Sequence, residues 1–147
     1  MTRRRQASPT TGLRNFCARI WAVDRGMPST PKVVLVVDDN RDAADSLAML
    51  LEIGGHRVTV VYSAPDALKS APGLKPAVIL MDIGLPEIDG CEVARRMRRM
   101  SELDGVRLIA LTGYGGDEDR QRTRDAGFDL HLVKPVDLDD LERAVAQ

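Results

Sequence analysis

The stretch Ala77-Val78-Ile79-Leu80-Met81-Asp82-Ile83-Gly84-Leu85-Pro86 (residues 77–86) decides how this chain folds. Five apolar residues follow Pro76 and give way to a loop marked by Gly84 and Pro86. A run this short, continuous and rich in branched residues reads as a strand buried on both faces, as in parallel sheets. Asp82 closes it, and open α/β sheets gather their ligands at the carboxyl ends of strands.

Three more runs end in polar groups. Val33–Val37 leads into Asp38-Asp39, Arg107–Leu111 into Thr112, and Asp129–Val133 into Lys134-Pro135. Arg57–Tyr62 reads as a further strand. Between these runs the apolar spacing turns helical. Ala44, Leu47 and Leu51 recur within Asp42–Ile53, which Gly54-Gly55 stops. Ser63 caps a helix over Pro65–Ser70. Gly90–Met100 turns Val93, Met97 and Met100 inward and leaves Glu92, Arg95, Arg96 and Arg99 wet. Asp117–Ala126 has almost no apolar stripe and should be weakly anchored. Asp137–Val145 buries Leu138, Leu141 and Val145. His56, after Gly55 at a turn, reads as a surface loop residue.

Five strand–helix units predict an α/β protein with a doubly wound (βα)5, flavodoxin-like fold: a parallel five-stranded sheet in order 2-1-3-4-5. In that order the first and third strands flank the switch point, so Asp38-Asp39 and Asp82 become neighbours. Three carboxylates in one small volume repel one another unless a cation sits among them. Mg2+ suits such an all-oxygen set and also takes phosphate oxygens; Mn2+ is the alternative. Asp39 and Asp82 are the expected direct ligands, with Asp38 acting mainly through metal-bound water and the Gly84 backbone carbonyl completing the protein's share. Asp82 is then placed to attack phosphorus in line. Lys134 would pair with one phosphoryl oxygen and the Thr112 hydroxyl would donate to another, with Gly113 leaving room.

Composition agrees with a single domain. The 147 residues are 44% hydrophobic and 29% charged, as in globular proteins. No apolar stretch approaches the roughly 20 residues of a membrane span. Cys17 and Cys91 lack a CxxC spacing, so neither a disulfide framework nor a zinc site is expected, and a cytoplasmic setting is. Charge is segregated. Residues 1–26 hold six Arg against Asp24 alone, a net +5, while the remainder holds 15 basic and 21 acidic residues, a net −6. An acidic domain argues against DNA as a partner.

Residues 1–31 read as a basic tail, either disordered or carrying a short helix at Leu13–Val23 with Leu13, Phe16, Ile20 and Val23 on one side. Translation from Met27 is a second reading of that tail. The domain proper is 32–147. Nothing follows the last helix, so a stand-alone domain is expected.

At the segments VVLVVDDN (33–40), VILMDIGLPEIDG (78–90), LIALTG (108–113) and DLHLVKPV (129–136) the chain resembles the receiver domains of bacterial response regulators. The resemblance implies a role in two-component or phosphorelay signalling. Asp82 would take phosphate from a phosphohistidine on a sensor histidine kinase or histidine phosphotransfer protein. It also implies a cis Lys134–Pro135 peptide, a protein target downstream, and dimerisation on phosphorylation as one outcome. The chain would be a phosphoacceptor rather than a turnover enzyme. His131 departs from the commonest pattern, in which an aromatic ring at this place turns inward when Thr112 engages the phosphoryl group. Histidine there resembles receivers attached to hybrid kinases, and it is expected to share the switch with Thr112. Gly84 and Tyr114 stand where the family tunes loss of the phosphoryl group; together they imply a slow-decaying aspartyl phosphate. The switched surface would be the face of the fourth helix, fifth strand and fifth helix.

Other chemistries fit less well. A phosphatase of the haloacid dehalogenase type needs a second Asp where Gly84 stands. A flavodoxin-like cofactor binder needs a Gly-rich phosphate loop after the first strand, and none is there. A degenerate scaffold would have lost acceptor-site residues, and all are present.

Overall fold

A computed structural model describes residues 31–113 and 115–146. The expectations for residues 1–30, Met27 included, and for Tyr114 lie outside them. The described strands are β1 (Val33–Val37), β2 (Arg57–Val61), β3 (Val78–Asp82), β4 (Arg107–Thr112) and β5 (Leu130–Val133). The helices are α1 (Arg41–Ile53), α2 (Ala64–Leu74), α3 (Gly90–Arg98), α4 (Asp117–Ala126) and α5 (Leu138–Ala146), with a 3-10 turn at Ser101–Leu103. All strand pairs are parallel, and the sheet runs β2-β1-β3-β4-β5 as expected.

Alternation along the strands builds two cores, because successive side chains leave opposite faces. Leu35, Val37, Ile79, Met81, Leu108 and Ala110 pack under α2 and α3. Val34, Val36, Val78, Leu80, Ile109 and Leu111 pack under α1 and α5. Both faces are covered, which is why the central strands read as unbroken apolar runs.

The helix predicted over Pro65–Ser70 extends to Leu74, with Pro72 inside its last turn. Proline removes one N–H and crowds one carbonyl, and near a helix end little of the ladder is left to break. Met100 lies past the end of α3 rather than within it, though it still packs on the core. Arg95 and Arg96 pair with Glu92 on the wet face of α3. Arg98 instead reaches across the molecule. It donates to Gly127 O at 2.9 Å, Val106 O at 2.8 Å and Asp129 Oδ2 at 2.8 Å. Gly127 ends α4 at φ 108°, a backbone conformation that favours glycine, and a Cβ there would also meet Arg98.

His56 is a correction: it is buried, not a surface residue. Its Nδ1 accepts from the Lys32 N–H at 3.1 Å, and its Nε2 lies 3.8 Å from Glu142 Oε1. Leu138, expected in the core, is half-buried, whereas Glu142 is buried. Glu142 Oε2 folds against Gly54 and has no hydrogen-bond partner among the described residues. A buried acceptor left unsatisfied costs about 1–3 kcal/mol. Glu142→Met, close in volume, is therefore expected to stabilise the domain by an amount in that range, read from urea denaturation. A loss of stability would show that the carboxylate is satisfied after all.

Candidate functional site

The parallel register sets the site. Val37 pairs with Met81 and Asp82 with Leu111, so β1, β3 and β4 end side by side. One oxygen from each of Asp38, Asp39 and Asp82 lies within 4.8 Å of the others. The predicted neighbours are thus brought together.

Each carboxylate is held differently. Asp38 is fully buried; its Oδ1 accepts from the Asn40 N–H at 3.0 Å and its Oδ2 from Lys134 Nζ at 2.9 Å. Asn40 in turn caps α1 by accepting from the Ala43 N–H. Asp39 is exposed. Asp82 Oδ1 accepts from the Gly84 N–H at 3.0 Å, and Oδ2 lies 3.5 Å from Lys134 Nζ. Lys134 therefore bridges the ends of β1 and β3 from the far side of β4. The Lys134–Pro135 peptide is cis, as the resemblance implied. The Lys134 N–H donates to Thr112 O at 2.8 Å, which fixes the chain where it leaves β5. Thr112 is buried at the end of β4, and beside it a Cβ on Gly113 would meet only open space.

Electrostatics follow from this crowding. Burial pushes the Asp82 carboxyl above its ordinary value; the Gly84 N–H and the Lys134 ammonium pull it down, and the Asp38 charge pushes it up. For Lys134, burial opposes the ammonium, but the Asp38 hydrogen bond and the Asp82 charge outweigh it and raise the pKa. Three carboxylates face one ammonium, and the donors are all oxygen. That set fits a hard divalent cation.

Two features escaped the sequence. Gly90, the first residue of α3, sits so close to the loop after β3 that a Cβ would lie 2.6 Å from Ile83 Cα and 2.8 Å from Asp82 O. Only its place in the DG pair hinted at a turn. Asp89 accepts from the Cys91 N–H and pairs with Arg122, so the loop after β3 is tied to α4. His131 faces α4 as well: its Nδ1 lies 3.1 Å from Thr123 Oγ1, which donates to Arg120 O. Thr123 and Ala126 are the buried residues of α4, a narrow anchorage in line with its missing apolar stripe.

A doubly wound sheet with an acid cluster and a lysine at its switch point defines a class of aspartate-centred signalling domains. The chain belongs to the response regulator receiver domain family, whose model matches residues 34–146. It is 40% identical over 114 residues to an uncharacterized 14.6 kDa protein of Leptolyngbya boryana, covering 78% of this chain and 87% of that one. It is 32% identical over 108 residues to the polar-differentiation response regulator DivK of Brucella anthropi, covering 74% and 88%. Among solved structures, the receiver domain of a Pseudomonas aeruginosa sensor histidine kinase superposes with a TM-score of 0.71 at 32% identity, covering 78% and 93%; it carries a magnesium ion coordinated in its active-site cleft. This is a receiver domain of two-component signalling. No helix among the described residues is long and apolar enough to cross a membrane.

Proposed function

We propose that Asp82 accepts a phosphoryl group from a phosphohistidine on a sensor histidine kinase or histidine phosphotransfer protein and passes the signal on by protein contact. The observation that carries this reading is the meeting of Asp38, Asp39 and Asp82 within 4.8 Å, with Lys134 Nζ 2.9 Å from Asp38 and 3.5 Å from Asp82. Asp39, Asp82 and the Gly84 carbonyl would hold Mg2+ directly, and buried Asp38, whose oxygens accept from the Asn40 N–H and from Lys134 Nζ, would act through water. A divalent ion held by these residues would neutralise phosphoryl oxygens and lessen the repulsion against an incoming anion. An Asp82 oxygen forms the new bond to phosphorus as the phosphorus–nitrogen bond to the donor imidazole breaks. Lys134 turns toward the phosphoryl group, and Thr112 donates its hydroxyl to it. Phosphorylation adds roughly −1.5 to −2 charges at the strand ends. Movement of Thr112 and His131 then reaches α4 through Thr123, and movement of the acceptor loop reaches it through Asp89 and Arg122. The α4-β5-α5 face is the surface that changes. Labelling by acetyl phosphate with and without magnesium, using Asp82→Asn as control, tests the assignment.

Gly84 offers no side chain to position an attacking water, and Tyr114 follows Thr112 by two residues. The aspartyl phosphate is accordingly slow to decay. Tyr114→Ala is expected to shorten its lifetime about threefold, a change of under about 1 kcal/mol in the barrier. An unchanged decay rate would remove Tyr114 from the account.

A further inference from the structure

Thr123 lies on α4, outside the acid cluster, yet it is only 1% exposed and with Ala126 supplies the buried anchorage of that helix. Its carbonyl accepts from the Phe128 N–H at 3.1 Å where α4 ends, and its hydroxyl lies 3.0 Å from Arg120 O. The same hydroxyl oxygen lies 3.1 Å from His131 Nδ1. His131 pairs with Ala110 on β4, two residues before Thr112. Side chains two apart along a strand, and those of paired residues on parallel neighbours, leave the same face of the sheet. Thr123 therefore meets the His131 ring on the face that carries Thr112.

Counting hydrogens fixes the direction of that contact. A threonine hydroxyl has one hydrogen, and a carbonyl oxygen only accepts. Thr123 donates its hydrogen to Arg120 O, so its oxygen has only lone pairs to offer the ring. The hydrogen between them belongs to His131 Nδ1. A neutral imidazole carries a hydrogen on one nitrogen alone, and the bonds it makes select which. His131 is thus held as the Nδ1–H tautomer. The edge of a hydrocarbon ring has no such donor, so this restraint comes with the histidine. His56 supplies the opposite case within the same chain, since its Nδ1 accepts from the Lys32 N–H at 3.1 Å and leaves the hydrogen on Nε2.

We propose that Thr123 is the positioning residue of the His131 switch. In the unphosphorylated domain its hydroxyl holds the ring against α4 as the Nδ1–H tautomer, and this bond breaks before the ring follows Thr112 toward a phosphoryl group. The role in switching rests on the phosphoacceptor reading above; the tautomer does not. An anion bound more tightly by the switched conformer gains apparent affinity as that conformer becomes more populated. Removing the Thr123 hydroxyl should therefore tighten binding of a phosphoryl-like anion at the acid cluster.

The experiment uses the full 147-residue chain labelled with nitrogen-15. Long-range proton–nitrogen correlation spectra, taken at alkaline pH where the pattern no longer changes, distinguish the two tautomers, and His131→Gln assigns the peaks. His56 is expected as Nε2–H and His131 as Nδ1–H; a His131 ring found as Nε2–H overturns the proposal. Calorimetric titration with beryllium trifluoride in magnesium buffer then reads the switch, because that anion mimics a phosphoryl group. Thr123→Val keeps the shape of the side chain and is expected to bind the anion about fivefold more tightly, the scale of one hydrogen bond. Thr123→Ser keeps the hydroxyl and should match the wild type. Equal affinity in all three proteins overturns the proposal. So does a serine variant that departs from wild type while the valine variant does not, the order that packing of the methyl group would give. No binding by the wild type would overturn the acceptor reading itself, and the switching role with it, while the tautomer result would stand.

Discussion

Asp82→Asn is expected to reduce magnesium-dependent labelling by acetyl phosphate by at least about 100-fold, because the amide offers no anionic oxygen to phosphorus. Labelling that survived the change would move the acceptor elsewhere and remove the central assignment. Stability should move the opposite way. Burial raises the Asp82 carboxyl above its ordinary value of 3.8, and Asp38 adds to that rise. A carboxyl whose folded pKa lies above its unfolded one weakens the fold once it ionises; the penalty is absent below the unfolded value and complete above the folded one. Asp82→Asn should therefore melt higher than the wild type at pH 7 without magnesium, and the gap should close as pH falls toward 3.8. Millimolar magnesium should reverse the order, since ligand that binds only the folded state stabilises it and the variant has lost a direct ligand. Thermal melts at two pH values, each with and without magnesium, read all four conditions. A variant that melted lower than wild type in metal-free buffer at pH 7 would show that the three carboxylates are not in conflict.

Gly90→Ala should be the most damaging conservative change near the site. Inside a helix alanine is usually better than glycine by about 1 kcal/mol. Here the new Cβ would stand 2.6 Å from Ile83 Cα and 2.8 Å from Asp82 O, and both are backbone atoms that cannot swing aside. Overpacking of this kind costs about 1–3 kcal/mol. Relief has to come from shifting the loop that carries Asp82, and misplacing a reacting group by about 1 Å can cost up to 100-fold in rate. The expected result is a loss of about 2 kcal/mol in urea denaturation together with at least a tenfold slower labelling rate. Unchanged stability and rate would mean that the start of α3 can move away from the loop at no cost.

The residues of the candidate site were legible because of where they stand. Asp38-Asp39, Asp82, Thr112 and Lys134 each follow an apolar run directly, and in a parallel sheet such positions converge on one rim whatever the loops do. The strands were legible for a related reason: burial on both faces writes a continuous run into the sequence. Gly90 was not legible as a contact, because a glycine's sequence position says nothing about which backbone will lie over it. His56 was misread in the same way, since a histidine after two glycines looks like a loop residue, and nothing in the sequence marked Glu142 for burial. Their burial follows from the entry of Lys32 beside the end of α1 and from α5 crossing that edge. Arg98 carried no reading in the sequence, and its role emerges only when Val106, Gly127 and Asp129 are brought beside it.

The sequence by itself determined the element types, the strand order and the carboxylate set, since hydrophobic period and strand-end chemistry are local properties. Only the tertiary structure decided which atoms share those carboxylates. Lys134 divides its ammonium between Asp38 and Asp82, and Asp89 and His131 link the pocket to α4. Distances between residues up to 96 positions apart along the chain are set by packing of the whole sheet and its helices. No window of sequence contains them.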